Sequence, residues 1–263
     1  VKRLKKQFKR RYTMVTLLTI ALFLLVWYLC TDVWKVVPRM VLPSPVRVLS
    51  TFINKFTNPN PDGATMLQHL GASLQVAMTG YVIGILVGVP LGILMAWNKR
   101  ADMFIRPLFD LIRPIPGIAW IPVMIVMFGI GLLSKAMVIF LSSFTAMVIN
   151  SYSGIKQTKA VHLWVGQTFG ATRLQQLFRI AIPSALPMIL TGLRVALGNS
   201  WGALVAAEML ASSRGLGFMI QQNRGIGRPD VIIAGMIAVG IVGALLTWIL
   251  SLIERAVLKG GRW

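Results

Sequence analysis

Two ionisable residues, Arg194 and Glu208, stand inside a long apolar run near the end of the chain. Charged groups cost roughly 2.5 to 3.5 kcal/mol in lipid on insertion scales, so both should face protein or water. Their separation of fourteen residues corresponds to about 21 Å of helix, so they do not pair within one straight span. Between them, the segment 198–202 (Gly-Asn-Ser-Trp-Gly) interrupts the run with small and hydrogen-bonding groups.

This interrupted segment has two interpretations. In the first, its polar residues line a translocation route through the membrane, and Arg194 attracts an anion or holds a dimer together. In the second, the two glycines form a close-packing pair and the polar side chains bond neighbouring helices. The residues that the first interpretation assigns to the route are Arg194, Asn199, Ser200, Trp201 and Glu208.

Other residues with chemical potential are sparse. His69 and His162 are far apart and have no carboxylate at ligand spacing, so we expect surface or cap residues and not a metal site. Cys30 is the only cysteine, which excludes a disulfide framework within one chain. The run 129–135 (Gly-Ile-Gly-Leu-Leu-Ser-Lys) lacks the second glycine directly before lysine that a phosphate loop requires. We therefore expect no catalytic residues, no metal and no cofactor in this chain.

The elements that must position these residues are membrane helices. Of the 263 residues, 56% are hydrophobic and 13% are charged, which is too little polar surface to cover a soluble globule of this size. Apolar runs of about 18 residues or more can cross a bilayer as helices. The sequence therefore predicts an all-α polytopic membrane protein with about six transmembrane helices. The predicted spans are 12–31, 76–97, 118–133, 136–149, 189–210 and 231–253, of which the third and fourth are the weakest.

The net charge of +20 would point to nucleic acid in a soluble protein, but here its placement indicates topology. With the N-terminus inside, 18 basic residues fall on inner segments and eight on outer ones, which obeys the positive-inside rule. The first apolar run lacks a small-residue cleavage pattern, so we expect an uncleaved anchor. We expect a multi-pass protein of the bacterial inner membrane with both termini in the cytoplasm and no nucleic-acid partner.

Two local patterns concern helix packing. Gly80, Gly84, Gly88 and Gly92 recur at every fourth residue of the second span, so they share one helix face and let a neighbouring backbone approach closely. We call these four residues the glycine stripe. Between the first two spans, five prolines prevent a continuous helix. The apolar spacing within 47–56 favours either a short interfacial helix or a loop packed on the outer face.

A polar, helix-forming insert, 165–187, lies between strongly apolar segments and reads VGQTFGATRLQQLFRIAIPSALP. On the inner side, residues 150–182 are predicted to form two short helices joined at Gly170. Thr172 and Gln175 have the spacing of a capping box. Such a helix either fills a groove on a partner or lies on lipid. We expect Leu174, Leu177, Phe178 and Ala181 on one face, Arg173, Gln176 and Arg179 on the other, and Pro183 and Pro187 at the start of the next span.

The spacing of Gly170, Ile180, Ile182 and Pro183 resembles the cytoplasmic coupling loop of permease subunits of type I, binding-protein-dependent ABC importers. In that family the motif reads Glu-Ala-Ala, three residues, Gly, nine residues, Ile, one residue, Leu-Pro. Here the opening triplet, 164–166, is Trp-Val-Gly, which removes any ionic contact of the glutamate but not the helix-glycine-helix geometry. The resemblance assigns ATPase coupling to Gln167, Thr168, Phe169, Gly170, Ala171, Thr172, Arg173, Leu174, Leu177, Ile180 and Pro183.

Further motifs occur in the same order as in the nitrate, sulfonate and taurine branch of these permeases, which this chain resembles over nearly its whole length. They are the segments 42–45 (LPSP), 113–116 (RPIP), 119–122 (AWIP), 128–131 (FGIG), 191–194 (TGLR), 201–208 (WGALVAAE) and 214–217 (RGLG). Neighbouring branches that import pyrimidine vitamin precursors share much of the pattern.

The resemblance implies a permease core over 66–255, preceded by a basic arm, first span and external proline-rich segment over 1–65 and followed by a cytoplasmic tail over 256–263. It implies a second permease chain forming a homodimer, two cytoplasmic ATPases that bind the ATP and Mg²⁺, and an external solute-binding protein. The expected solute is a small anion resembling a sulfonate, taurine or nitrate, with a pyrimidine vitamin precursor as the alternative. An ion-coupled secondary transporter should show inverted repeats and acidic residues at the midplane, and a membrane enzyme a cluster of catalytic polar residues. We identify neither pattern in the sequence.

Overall fold

The computed structural model describes residues 2–260, with side chains described over 13–258. Every regular element in this part of the chain is helical, which confirms the predicted all-α fold. Residues 261–263 of the predicted tail lie outside the described residues. The helices are α1 (Lys2–Tyr28), α2 (Pro45–Asn54), α3 (Met66–Trp97), α4 (Lys99–Ile112), α5 (Ile121–Phe128), α6 (Leu132–Lys156), α7 (Ala160–Thr168), α8 (Arg173–Gln176), α9 (Ile182–Ala211), α10 (Leu216–Gly225) and α11 (Pro229–Gly260).

Five of the described helical segments are long and apolar enough to cross a membrane. They are Thr13–Val33, Met66–Trp97, Leu132–Lys156, Arg173–Ala211 and Pro229–Leu258. A sixth candidate is a broken pair, Lys99–Ile112 and Gly117–Phe128, whose halves are bent by 82°. The prediction of a single third span over 118–133 is therefore wrong, because the helix ends at Phe128 and α6 begins at Leu132.

The chain divides into two compact units, and the first contains the residues up to Met66 together with Met219–Ile237. The predicted segment 47–56 is a helix, α2, in which Ser44 caps the first turn by accepting a hydrogen bond from the Arg47 N–H at 3.3 Å. Thr51 Oγ1 donates to Asp230 at 3.0 Å. Arg228 lies outside the spans, and its hydrogen bond to Asp230 raises the pKa of its guanidinium.

The second unit contains Leu67–Phe218 and Ala238–Trp263, and α6 is its most enclosed helix. The glycine stripe of α3 faces α6. A Cβ built on Gly80 would lie 2.4 Å from the Ala136 carbonyl oxygen, and one on Gly84 would lie 1.9 Å from Ser143 Oγ. The other two glycines of the stripe would clash in the same way, at 2.6 and 2.8 Å. The α3 and α6 backbones therefore approach more closely than any side chain would allow.

Candidate functional site

The polar insert folds as a helical hairpin, with α7 and α8 joined at Gly170. Gly170 has a φ of +75°, a left-handed conformation that favours glycine. Thr172 then starts α8 with the predicted capping box: its Oγ1 accepts from the Gln175 N–H at 3.3 Å, and the Gln175 side chain accepts from the Thr172 N–H at 2.8 Å. Both features arise within a few residues of each other, so the local sequence alone dictates this turn.

The two arms of the hairpin are held together by Gly166, Ala171 and Gln176. A Cβ on Gly166 would lie 2.7 Å from Ile180 Cδ1, so glycine makes room for that side chain where the family motif has alanine. The Gln176 amide donates to the Ala171 carbonyl oxygen at 2.9 Å and is buried. The prediction that Gln176 lies on an outward polar face is therefore wrong, since its side chain caps the turn from inside.

An apolar surface remains exposed on this hairpin, and we call it the coupling surface. It comprises Trp164, Val165, Phe169, Leu174 and Phe178. Phe169, next to the turn, is 85% exposed. Leu177 and Ala181 are predicted to share a face with Leu174 and Phe178, but Leu177 is only half-exposed and Ala181 is buried. Exposed apolar side chains on such a hairpin suit either a groove on a partner protein or the lipid surface.

The hairpin runs into the membrane without a break. Pro183 lies in the first turn of α9, as predicted, whereas Pro187 lies inside the helix. The segment Arg173–Ala211 is nevertheless continuously helical, so neither proline separates the insert from the span. Pro183 has no N–H to donate to the carbonyl four residues earlier. The helix accommodates this by widening into a π turn over Leu177–Ala181, directly before that proline.

A cavity of about 460 Å³ opens in the same unit, between the segment after α4 and the helices α6 and α9. Its walls combine apolar surface with a few polar groups. They are formed by Arg113, Ile115, Pro116, Gly117, Ile118, Leu141, Ser142, Thr145, Gly198, Asn199, Gly202 and Ala203. Among these lining residues, Arg113 is the only ionisable one. A pocket with few polar groups on apolar walls is the usual form of a small-molecule site.

Gly198 and Gly202 contribute open space to this cavity. A Cβ built on either would meet no atom within 4 Å. The interpretation of these two glycines as a close-packing pair within the chain is therefore wrong. Asn199 lies between them on α9 and lines the cavity as the route interpretation expected.

The other polar residues near this segment point elsewhere. Ser200 is buried, and Trp201 is buried with its Nε1 donating to the Val239 carbonyl oxygen of α11 at 3.1 Å. Arg194 forms an ion pair with Glu254, also of α11. Of the residues assigned to the route, Asn199 is thus the one that lines this cavity, because successive residues of a helix point about 100° apart.

Glu208 does not line any route in this structure, which corrects the prediction for this residue. Its side chain is fully buried and accepts hydrogen bonds from Ser73 Oγ at 2.8 and 2.9 Å and from the Gly217 N–H at 2.9 Å. A Cβ on Gly215 would lie 2.4 Å from the Glu208 carboxyl carbon. Glu208 therefore fastens the C-terminal end of α9 to α3 and to the loop that follows. We call Glu208, Ser73, Gly215 and Gly217 the carboxylate latch.

His69 borders this latch and is also buried, so the expectation of a surface or cap position is wrong. Its Nδ1 accepts from the Gly215 N–H at 3.1 Å. Arg113, in contrast, is a cavity residue that the route prediction missed. The sequence did contain a signal, since Arg113 precedes the prolines of the 113–116 motif, which hold the chain in a non-helical bend.

Comparison with known proteins identifies the family to which this chain belongs. Residues 88–260 match the family described as binding-protein-dependent transport system inner membrane component. The taurine transport system permease protein TauC of Escherichia coli (strain K12) is 38% identical over 240 residues, which cover 90% of this chain and 86% of the relative. The putative aliphatic sulfonates transport permease protein SsuC of Bacillus subtilis (strain 168) is 33% identical, with coverage of 97% and 91%.

A third relative, the nitrate import permease protein NrtB of Synechocystis sp., is 34% identical, with coverage of 90% of this chain and 86% of its own. Among solved structures, the MetNI methionine ABC transporter in an inward-facing conformation has a chain that matches with a TM-score of 0.64. At 19% identity, over 73% of this chain and 95% of that chain, this match concerns the fold alone. The extent of the sequence match shows that this chain belongs to the family of binding-protein-dependent transport system inner membrane components, the permease subunits of ABC importers.

Proposed function

We propose that this permease carries a small anion, of the sulfonate or nitrate class, across the membrane. The observation that supports this most directly is the cavity, whose walls carry one cation, Arg113, with the side-chain amide of Asn199 as a further hydrogen-bond donor. A guanidinium presents five donors in a planar fork that suits oxyanions. The permeases named for taurine, aliphatic sulfonates and nitrate, which this chain resembles, all take solutes of this chemistry.

The energy source is a separate ATPase, and the coupling surface is where it would dock. A helical hairpin with exposed aromatic and aliphatic residues suits a groove on a partner. In this arrangement two copies of the chain enclose the route and two ATPases, which hold the ATP and Mg²⁺, bind the two hairpins. An external solute-binding protein delivers the anion. The distribution of basic residues supports cytoplasmic termini, and the hairpin would then lie on the ATPase side of the membrane.

The proposal is tested by uptake of sulfonate, taurine and nitrate into proteoliposomes that contain the complete transporter with ATP inside. We expect ATP-dependent import of at least one of these solutes, each of which presents negatively charged oxygen atoms. Import of an uncharged pyrimidine with no anion uptake would contradict the anion assignment, and uptake that follows an ion gradient without ATP would contradict the importer assignment.

Filling the cavity should block transport without unfolding the protein. Because a Cβ on Gly202 meets no atom within 4 Å, Gly202→Leu places its side chain in the open cavity. We expect uptake to fall about tenfold or more, which corresponds to about 1.4 kcal/mol, because the leucine occupies space that the solute would need. Gly71→Leu, at another exposed and uncrowded glycine, is the control and should transport normally. Normal uptake by Gly202→Leu would show that this cavity is not part of the translocation route.

Charge on the coupling surface should release the ATPase. For Phe169→Asp we expect the amount of ATPase that copurifies in detergent to fall about tenfold or more, the effect of losing a central apolar contact. Phe169→Leu keeps an apolar side chain at this exposed site and should retain the ATPase. If Phe169→Asp also retains it, the hairpin lies on lipid instead, the other interpretation of an amphipathic helix at the membrane surface.

A further inference from the structure

We propose that Arg113 is the anion-binding residue of the route and that Asp110 competes with the solute for it, so that the pair releases the anion between two adjacent cavities. This rests on the proposed anion import and adds the residues that perform it. The inference starts from the position of Arg113, which lines the 460 Å³ cavity and also a second cavity of about 210 Å³. Among the lining residues described, no other residue is common to both.

The partners of Arg113 leave it available for a ligand. Its described side-chain contact is an ion pair with Asp110 at 3.5 Å, and the two side chains are 55% and 49% exposed. Exposed pairs at this distance are weak because water competes for both charges. An oxyanion that brings two oxygens to the guanidinium can therefore replace the Asp110 carboxylate.

A second arginine in the smaller cavity is engaged differently. Arg106 binds Asp102 through two nitrogens, at 2.8 to 3.2 Å, and also contacts the Tyr152 hydroxyl. Its charge is thus already matched by a carboxylate in good geometry. This contrast assigns solute binding to Arg113 and leaves Arg106 as a structural residue of the second cavity.

The competition gives Arg113 two alternative partners, the anion and the Asp110 carboxylate. In the larger cavity the anion takes the guanidinium of Arg113, and the side-chain amide of Asn199 on a facing wall can donate further hydrogen bonds. The hydroxyls of Ser142 and Thr145 already donate to carbonyl oxygens of their own helix. Asp110 lines the smaller cavity and not the larger one. When the anion leaves the guanidinium, the Asp110 carboxylate regains it, so rebinding of the anion to Arg113 is disfavoured. Binding and release thus use one cation and one competing carboxylate.

The test restores the charge chemically at position 113. Cys30 is the only cysteine of the chain, so Cys30→Ser gives a permease without reactive thiols to which Arg113→Cys is added. In the complete reconstituted transporter, we expect Arg113→Cys to lower uptake of the anion that the wild type imports by about tenfold to hundredfold, the loss of one charge-assisted interaction. A trimethylammonium-ethyl methanethiosulfonate reagent should restore much of the uptake, and the sulfonatoethyl reagent should not. The Cys30→Ser parent, treated with both reagents, is the control.

The outcomes separate the inference from the proposed function. If the wild type imports the anion and Arg113→Cys does so equally well, or if both reagents restore uptake equally, Arg113 does not bind the solute while the transporter assignment stands. If the wild type imports a neutral pyrimidine only, both are overturned. Asp110→Asn tests the competitor: we expect a lower KM together with a lower kcat, because the anion binds better and leaves more slowly. An unchanged KM and kcat would remove Asp110 from the release step.

Discussion

A leucine at Gly84 is expected to prevent the helical core from assembling. The stripe lets α3 lie directly on α6, and even the first atom of a side chain at this position would overlap Ser143 Oγ at 1.9 Å and approach the Phe144 amide nitrogen at 3.1 Å. One of these contacts is with backbone, which cannot rotate away. Overpacking of this kind costs about 3 kcal/mol or more. The expected result is loss of the monodisperse protein on size-exclusion chromatography in detergent, with little protein in the membrane fraction.

Two variants control this prediction. Gly71→Leu places the same side chain on the same helix where a Cβ meets no atom within 4 Å, and it should yield normal protein. Combining Gly84→Ala with Ser143→Gly removes the two closest atoms and should recover part of the yield lost by Gly84→Ala alone. Normal yield of Gly84→Leu would mean that α3 and α6 are not in contact here.

A valine at Gly170 is expected to stop transport while leaving the complex assembled. A Cβ at this position meets no atom within 4 Å, so the cost comes from the backbone and not from crowding. At a φ of +75°, an ordinary side chain costs about 1 to 2 kcal/mol, and a β-branched one is worse. The valine therefore changes the angle between α7 and α8 and misplaces the coupling surface. ATP-driven uptake should fall steeply, with ATPase still copurifying.

Asparagine is the matched substitution because it tolerates the left-handed conformation far better than valine. Gly170→Asn should therefore retain most of the uptake, although its side chain is of similar size to valine. Equal losses in the two variants would place the defect in side-chain bulk at a partner surface. Wild-type uptake by Gly170→Val in a normally assembled complex would sink the idea that this turn carries the coupling.

The features that the sequence predicted are those with causes close along the chain. The capping box at Thr172 depends on a residue three positions away, and the joint between α7 and α8 depends on Gly170, whose φ is +75°. The six apolar runs predicted a polytopic helical protein because span length follows from bilayer thickness. The order of motifs along the chain predicted the family, since each motif marks a local turn or helix start.

The features that could not be predicted depend on distant partners. Glu208 meets Ser73, which lies 135 residues earlier, and this contact converts a costly charge into a buried structural group. The Gln176 side chain turns inward because its amide donates to the Ala171 carbonyl oxygen at the turn. Helical periodicity does not reveal such a contact.

Arg113 becomes a cavity residue because it lies at the 82° bend between the helical segments Lys99–Ile112 and Gly117–Phe128. The sequence did not predict this bend. Periodicity predicts which residues share a face of a helix, but it does not predict which other helix packs against that face.

The uninterrupted helix from Arg173 to Ala211 has a mechanical consequence. At 1.5 Å per residue, its 39 residues form a rod of about 58 Å. A tilt of about 5° at one end of such a rod displaces the other end by about 5 Å. The hairpin, where the ATPase is proposed to dock, and the carboxylate latch are thus at opposite ends of one continuous helix, with the cavity along its length. A movement imposed at the hairpin would therefore reach the far end of this helix without passing through a loop.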